Sequence, residues 1–260
     1  MKIAIVGYGS MGKLVEQEAL KRGFKISAVI DPSVSFPAHP ETHFKTFANL
    51  DRTSLSDSDV VVDFSHPSSA VRNIKLYCET GIRAVIGTTG WYDKLDEVQE
   101  AVRNSEARIL WASNFSVGVN LFFRIVEAAS SLLNNAEEYD IWGYELHHHN
   151  KADSPSGTAK TLSEILLRNI QRKTSVVYEK LDRKILDSEL HFASIRGGAV
   201  NFEHTLAFDS AADSIVLKHS ARDRTGYASG ALRAAEWIVL QPPGLYGPND
   251  FMQAIGLGEK

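Results

Sequence analysis

Lys2-Ile3-Ala4-Ile5-Val6-Gly7-Tyr8-Gly9-Ser10-Met11-Gly12 opens on a short apolar run, passes through glycine-spaced positions and enters a helical pattern. The run Lys2–Val6 predicts a buried strand, and Gly7, Gly9 and Gly12 fit the G-x-G-x-x-G spacing in the strand-to-helix context it requires. Gly7 permits a tight turn, Gly9 lets a pyrophosphate approach the backbone, and Gly12 lets the helix pack close to the strand. The phosphates would then meet the positive end of the helix. Asp31 ends the next apolar run, about twenty residues on, where a carboxylate accepts from an adenosine ribose hydroxyl. A plain glycine turn explains the motif alone; strand, helix and Asp31 together select a dinucleotide site built from Gly7, Tyr8, Gly9, Ser10, Met11, Gly12 and Asp31. The charge of Asp31 would repel a 2′-phosphate, and Pro32 stands where an arginine could have held one. NADH is therefore favoured, with NADPH left open by the nearby Lys13.

The same alternation continues outward. Lys25–Ile30, Val60–Phe64, Arg83–Ile86 and Arg108–Trp111 read as buried parallel strands. Met11–Arg22, Ser68–Glu79 and Tyr92–Asn104 read as the helices between them, with Gly23 and Gly81 placed as C-terminal glycines. Strand-helix repetition implies a Rossmann-like, doubly wound α/β sheet. Gly87-Thr88-Thr89-Gly90 and Ala112-Ser113-Asn114-Phe115-Ser116 follow two of the strands. They stand either as turns or as ligand loops beyond the strand ends. The residues 33–43, with two prolines and Pro32 just before them, read as a loop.

The pattern changes near Val117. A long amphipathic helix over Val119–Leu133 is followed by a strand over Tyr139–His148 and a helix over Ser156–Ile170. Strands then dominate, at Ser175–Leu181, Leu190–Ile195, Phe202–Phe208 and Ser214–His219, with a hairpin turn at Phe208–Asp213. An alanine-rich helix over Tyr227–Leu240 returns to the first domain. The expected plan is a nucleotide domain from 1–118 and 227–260, with an inserted α+β domain from 119–226.

Composition is that of a soluble globular chain, with 43% apolar and 23% charged residues and a net charge of −4. That charge argues against general nucleic-acid or membrane-surface binding, so an anionic substrate needs a local basic pocket. No leader and no membrane-length apolar run is read. Cys78 is the only cysteine, which excludes an internal disulfide, fits a cytoplasmic setting and suits a packed helix position.

The densest chemistry lies in Glu145-Leu146-His147-His148-His149-Asn150-Lys151-Ala152-Asp153-Ser154-Pro155-Ser156-Gly157-Thr158-Ala159. On a strand, His147 and His149 would face one way and His148 the other. Histidine handles protons near neutral pH, and Lys151 adds fixed positive charge. Pro155 suits a helix start, and backbone N–H groups with the Ser156 and Thr158 hydroxyls would make an anion seat. Two other readings compete: a metal site, which would need further ligands, and exposed polar residues with Ser156 as a plain helix cap. Arg196, in Ser194-Ile195-Arg196-Gly197-Gly198, would bind a second carboxylate or make a surface ion pair. His204, His219, Arg222 and Arg224 are weaker candidates.

These motifs resemble the dihydrodipicolinate reductase family of lysine and diaminopimelate biosynthesis. The family pattern E-x-H-H-x-x-K-x-D-A-P-S-G-T-A runs in register with Glu145, His147, His148, Lys151, Asp153 and Pro155 to Ala159. The resemblance also takes in Gly7–Gly12, Gly87-Thr88-Thr89-Gly90, Asn114–Asn120, His219, Arg222, Gly230, Ala231 and Gly244-Leu245-Tyr246. It implies that His147 is the proton donor with Lys151 as its charged catalytic partner, and that no metal takes part. It implies that His148, Gly157 and Thr158 touch a small dicarboxylate cyclic imine, and that Gly87, Thr88, Thr89 and Ala112 to Phe115 touch the nicotinamide. It further implies hydride transfer to C4 of 4-hydroxy-tetrahydrodipicolinate after loss of water, protonation at C3, and a homotetramer assembled through the second domain's sheet. Ser154 replaces the usual alanine, Phe202 stands where the family usually has glycine, and the 33–50 stretch is short. Another nicotinamide-dependent imino- or amino-acid dehydrogenase would share Gly7–Gly12 without needing His147–Thr158. A non-catalytic nucleotide sensor would not need His147 or Lys151.

Overall fold

The computed structural model describes residues 1–33 and 44–257. The loop expected over 33–43 therefore lies, apart from Ser33, outside the described residues. The chain divides into two compact units, Met1–Val117 with Arg224–Lys260, and Gly118–Asp223.

The first unit runs β1 (Lys2–Val6), α1 (Ser10–Lys21), β2 (Lys25–Ile30), β3 (Lys45–Phe47), α2 (Arg52–Leu55), β4 (Val60–Asp63), α3 (Pro67–Thr80), β5 (Arg83–Ile86), α4 (Leu95–Arg103) and β6 (Arg108–Trp111). The second unit holds α5 (Val117–Leu133), which starts at the boundary, then β7 (Asp140–His147), α6 (Gly157–Asn169), β8 (Ser175–Val177), β9 (Glu189–Arg196), β10 (Glu203–Asp209) and β11 (Ser214–Ser220). The chain returns with α7 (Thr225–Ile238), β12 (Gly244–Tyr246) and α8 (Pro248–Ala254).

The first sheet has seven strands in the order β12-β6-β5-β4-β1-β2-β3, paired in parallel throughout. Strand alternation divides its side chains between two layers. Ile3, Ile5, Val29, Val60 and Val62 pack with α1, α7 and α8. Ala4, Val6, Ala28, Ile30 and Val61 pack with α3 and α4. Both faces are covered, which is why these strands read as continuous apolar runs. The order reverses between β1 and β4, the switch point of a doubly wound sheet, and their carboxyl ends are where a ligand belongs.

The second sheet has five strands in the order β11-β10-β7-β9-β8. It is mixed: β10 pairs antiparallel with β7 and β11, while β9 pairs parallel with β7 and β8. One face carries Ile141, Phe192, Leu206 and Phe208 against α6 and α5 residues.

Several expectations need correction. The strand expected over Ser175–Leu181 stops at Val177, because the chain turns outward at the exposed Glu179 and Lys180. Strand β3 and α2 fill part of the stretch between Asp31 and Val60, and β12 and α8 follow α7; none of the four was expected. Strands of three residues carry too little periodicity to be read. The strand bearing the histidines ends at His147, so the alternation does not reach His149.

Candidate active site

At the first site, the glycines fit their expected mechanical roles. Gly7 has φ +85°, and a Cβ there would meet the Phe64 carbonyl oxygen at 2.4 Å. A Cβ on Gly12 would meet the Gly7 carbonyl oxygen at 2.2 Å, whereas one on Gly9 would meet nothing within 4 Å. The approach to Gly9 is therefore open, and α1 begins there without a side-chain cap, leaving its positive end for an anion. A crevice of about 340 Å³ is lined by Gly7, Gly9, Asp31 and Pro32 on one side and Ser65, His66, Arg72 and Asn73 on another. These residues fit a dinucleotide. Ser65, His66, Arg72 and Asn73 carry no sequence motif of their own, and only the parallel pairing of β1 with β4 brings them there.

Asp31 accepts the Tyr8 backbone N–H at 2.6 Å and the Ser33 N–H at 2.8 Å. Burial works against its charge, but the Ser33 hydroxyl and these N–H groups outweigh that and hold the carboxyl below its ordinary value. An ionised acceptor is what a ribose hydroxyl needs. Tyr8 donates its hydroxyl to Glu16, and Lys13 stands with Nζ 5.8 Å from the Tyr8 ring centroid. Ser10 accepts from Arg224 at 3.2 Å. Met11 is half-buried against the core.

The two loops beyond β5 and β6 divide their residues between packing and exposure. A Cβ on Gly87 would strike the Phe64 ring at 2.1 Å. Thr88 is buried, with Oγ1 donating to the Asp63 carboxylate at 3.1 Å, so its hydroxyl faces inward rather than toward a ligand. The same carboxylate accepts from Asn73 at 3.1 Å and Tyr77 at 2.7 Å, a buried network that fixes the ends of β4 and β5. Thr89 and Ser113 are exposed. Ala112 is buried, and the Phe115 ring packs in the core against Phe251, so neither side chain is placed to meet a ligand. Asn114 turns its loop by accepting the Ser116 N–H at 2.8 Å.

At the second site, strand register makes the constellation. Across the core-facing side of the sheet, Ser194, Glu145 and His204 share one cross-strand row, and Arg196 is paired with His147 in the next. Glu145 and His147 are 0% and 1% exposed. Glu145 Oε1 accepts from the Ser156 N–H at 3.0 Å, the Ser194 hydroxyl at 2.8 Å and Arg196 Nη2 at 2.8 Å. Its Oε2 lies 3.5 Å from His147 Nδ1 and 3.4 Å from His204 Nε2. Among the described residues, Glu145 Oε2, His147 Nδ1 and His204 Nδ1 are buried without a hydrogen-bond partner.

Charge follows from this geometry. Burial pushes the Glu145 carboxyl up, but the nearby His204 ring and the hydrogen bonds from Ser156, Arg196 and Ser194 overcome it and hold the group well below the carboxylate range. Burial drives His147 down to about 4. Glu145 alone resists that shift, while His204, Arg196 and Lys151 add to it.

Arg196 is correspondingly not a surface ion pair: Nη2 bridges the buried Glu145 carboxylate and the Asp153 carbonyl oxygen, the latter at 2.6 Å. Lys151 Nζ rests on Asp153 Oδ1 at 2.5 Å. His148 is half-buried just past the strand. His149 is exposed in the following turn, its backbone N–H donating to the Gly198 oxygen at 3.2 Å.

Ser156 is the N-cap of α6. It is buried, and its Oγ accepts the Ala159 N–H at 3.2 Å and meets His204 Nε2 at 3.2 Å. Its hydroxyl is thereby engaged inside the protein, and Pro155 precedes the cap instead of opening the helix. Gly157 and Thr158 open α6, where backbone N–H groups lack intrahelical acceptors, as an anion seat would need. A Cβ on Gly157 would meet nothing within 4 Å.

Glu145, His147 and His204 each offer one ligand atom within 4.8 Å of the others. The Arg196 guanidinium on the same carboxylate opposes a cation there, so the trio suits proton handling better than metal binding. Glu145 has no role of its own in the sequence pattern, and His204 stands there only among the weaker candidates. Strand alternation places Glu145 beside His147; only the pairing of β10 with β7 adds His204.

Both units of the chain match known proteins. The family model for the dihydrodipicolinate reductase N-terminus matches residues 1–115, and that for the C-terminus matches residues 118–252. The chain belongs to the dihydrodipicolinate reductase family. The reductase is 35% identical to the 4-hydroxy-tetrahydrodipicolinate reductase of Archaeoglobus fulgidus over 97% of this chain and 100% of that one. It is also 35% identical to that of Chromobacterium violaceum over 98% of each chain. The dipicolinate-bound dihydrodipicolinate reductase from Paenisporosarcina sp. TG-14 superposes with a TM-score of 0.76 at 22% identity, covering 95% of this chain and 97% of that one. The enzyme is thus an oxidoreductase of lysine and diaminopimelate biosynthesis. No helix among the described residues is long and apolar enough to cross a membrane.

Proposed function

We propose that this reductase converts 4-hydroxy-tetrahydrodipicolinate to tetrahydrodipicolinate with NADH, using His147 to deliver the proton. The observation that carries the reading is His147 itself: a buried imidazole paired across the sheet with Arg196 and 3.5 Å from the Glu145 carboxylate, which also holds the N–H of Ser156, the α6 cap. Bound NADH would supply the hydride, delivered to C4 of the imine formed by loss of the 4-hydroxyl. The chain's own groups do the rest. Gly7 to Gly12 seat the pyrophosphate, Asp31 accepts from the ribose, and the exposed Thr89 and Ser113 with the Asn114 loop border the nicotinamide. The N–H groups of Gly157 and Thr158 hold one substrate carboxylate, and His148 orients the ring.

Negative charge grows on the substrate as hydride arrives, so Lys151 and the dipole of α6 stabilise the transition state more than the ground state. Lys151 leaves the exposed Asp153 for the substrate, and an ion pair open to water on that side costs little to break. His147 is neutral in the unliganded protein. A dianionic substrate favours its charged form, so binding loads the proton that is then passed to C3.

The outer face of the second sheet completes the reading. Trp142, Ile195 and Val216 are 42%, 47% and 56% exposed, and the Trp142 and Tyr144 rings stack at 6.4 Å. An apolar sheet face of this kind is covered by another copy. We assign it to a homotetramer working in the cytoplasm, where Cys78 stays reduced.

The deciding experiment follows NADH and NADPH oxidation with the condensation product of pyruvate and aspartate semialdehyde. The reading requires turnover with NADH preferred; no turnover with either cofactor overturns it.

A further inference from the structure

Phe202 lies just before β10, one step beyond the Glu203–Leu146 pair, and so stands across from His147. Its ring centroid is 5.3 Å from that of His147 at an interplanar angle of 72°, and 6.0 Å from that of His148 at 77°. The His204 ring closes the other side of His147, at 5.2 Å and 77°. Edge-on contact is the favoured geometry for such rings. The backbone beneath Phe202 is held on both sides: the Ala221 N–H donates to the Phe202 carbonyl oxygen at 2.9 Å, and the Asn201 amide donates to the Arg222 carbonyl. The ring is half-buried, so one side of it meets the solvent that His147 does not.

We propose that Phe202 is the positioning residue for both imidazoles: its ring is the wall that separates His147 from solvent and sets the angle of His148 beside it. This rests on the reading of His147 as proton donor. Without the ring, water reaches His147 from the side that Phe202 now covers. The imidazole then gains solvation for its charged form, and His148 loses the surface that limits its rotation. Groups from every packed element bear on this titration: Glu145 and Lys151 on and after β7, Arg196 on β9 and His204 on β10. None of them is altered by changing Phe202, so a shift reports the wall.

The test compares wild type, Phe202→Ala and Phe202→Leu as full-length enzyme. Histidine ring resonances are assigned through His147→Gln and His148→Gln variants. Phe202→Ala is expected to raise the His147 titration midpoint by about one pH unit, an ordinary environmental shift in a folded protein. Phe202→Leu, which keeps apolar bulk, should move it by less than half as much. The His147 limb of the kcat/KM profile should move the same way, and KM for the imine should rise while NADH affinity holds. An unmoved His147 midpoint in Phe202→Ala overturns the inference, whatever the kinetics. A midpoint that moves while the kcat/KM profile stays fixed leaves the wall in place and overturns the proton-donor reading instead.

Discussion

His147 Nδ1 stands 3.5 Å from Glu145 Oε2, two residues back on the same strand and on the same buried face. That separation is too long for a hydrogen bond but short enough for the carboxylate to act on the imidazole through charge. Glu145 is therefore both the anchor of Arg196, Ser194 and the α6 cap, and the one group that opposes the loss of charge at His147.

Glu145→Gln separates those two duties. The amide keeps the shape but leaves Arg196 without its buried counter-ion, so unfolding by urea should show a loss of roughly 3 kcal/mol or more, the usual cost of removing one partner of a buried pair. The His147 midpoint should fall further. A variant as stable as wild type would mean that Arg196 finds another partner or water at no cost.

The reach of the sequence can be traced at this site. Gly7 to Gly12 and Asp31 are legible because two strands and the turn and helix between them, contiguous in sequence, place them. Glu145 and His147 share a face by simple alternation. His204 and Arg196 are not legible as members of the cluster, because only the pairing of β10 and β9 with β7 brings them in, and pairing register leaves no mark in composition. The inward turn of Thr88 and the engaged hydroxyl of Ser156 escape for a related reason. Thr and Ser look the same whether they meet a ligand or a buried Asp63 or His204. Strands β3 and β12 escape because three residues have no period.

Proton linkage offers a second measurement. The His147 midpoint is depressed from 6.5 to about 4, so in this window the unfolded chain binds more protons than the folded one. Stability should therefore rise with pH between about 4 and 6.5 and flatten above it. Glu145 and Glu189, with lowered carboxyl values, contribute stability that is present above the ordinary carboxylate value and lost as pH falls below it. Chemical denaturation at stepped pH should show the upper part of the slope flattened in His147→Gln. An identical slope would assign it to another histidine.

Substrate binding should reverse the His147 shift. Titration calorimetry with dipicolinate near pH 6, in buffers of different ionisation enthalpy, should show proton uptake in the wild type and much less in His147→Ala. The same substitution should lower turnover by about 10²- to 10⁴-fold, the range for a lost general acid, with NADH affinity unchanged. Equal loss of turnover and cofactor affinity would make His147 structural.

Asp31 tests the other site. Removing its carboxylate deletes a charged acceptor worth roughly 1.5–3 kcal/mol per hydrogen bond. NADH affinity of Asp31→Ala, followed by nicotinamide fluorescence, should weaken by about tenfold or more. NADPH affinity should weaken less, because repulsion of the 2′-phosphate goes with it. Unchanged NADH affinity would remove Asp31 from the ribose.

The exposed sheet face yields the last prediction. Trp142, Ala207 and Val216 lie opposite one another across β7, β10 and β11, on the side away from Ile141, Phe192, Leu206 and Phe208. Large apolar side chains gain roughly 1.5–3 kcal/mol each on full burial, and a charge placed among them pays desolvation without a partner. Light scattering should give the wild type a mass of four times the 28.7 kDa chain. Trp142→Glu combined with Val216→Glu should give smaller species with the far-ultraviolet spectrum intact, because the core face of the sheet is untouched. A double variant that keeps the wild-type mass would place the assembly on another surface.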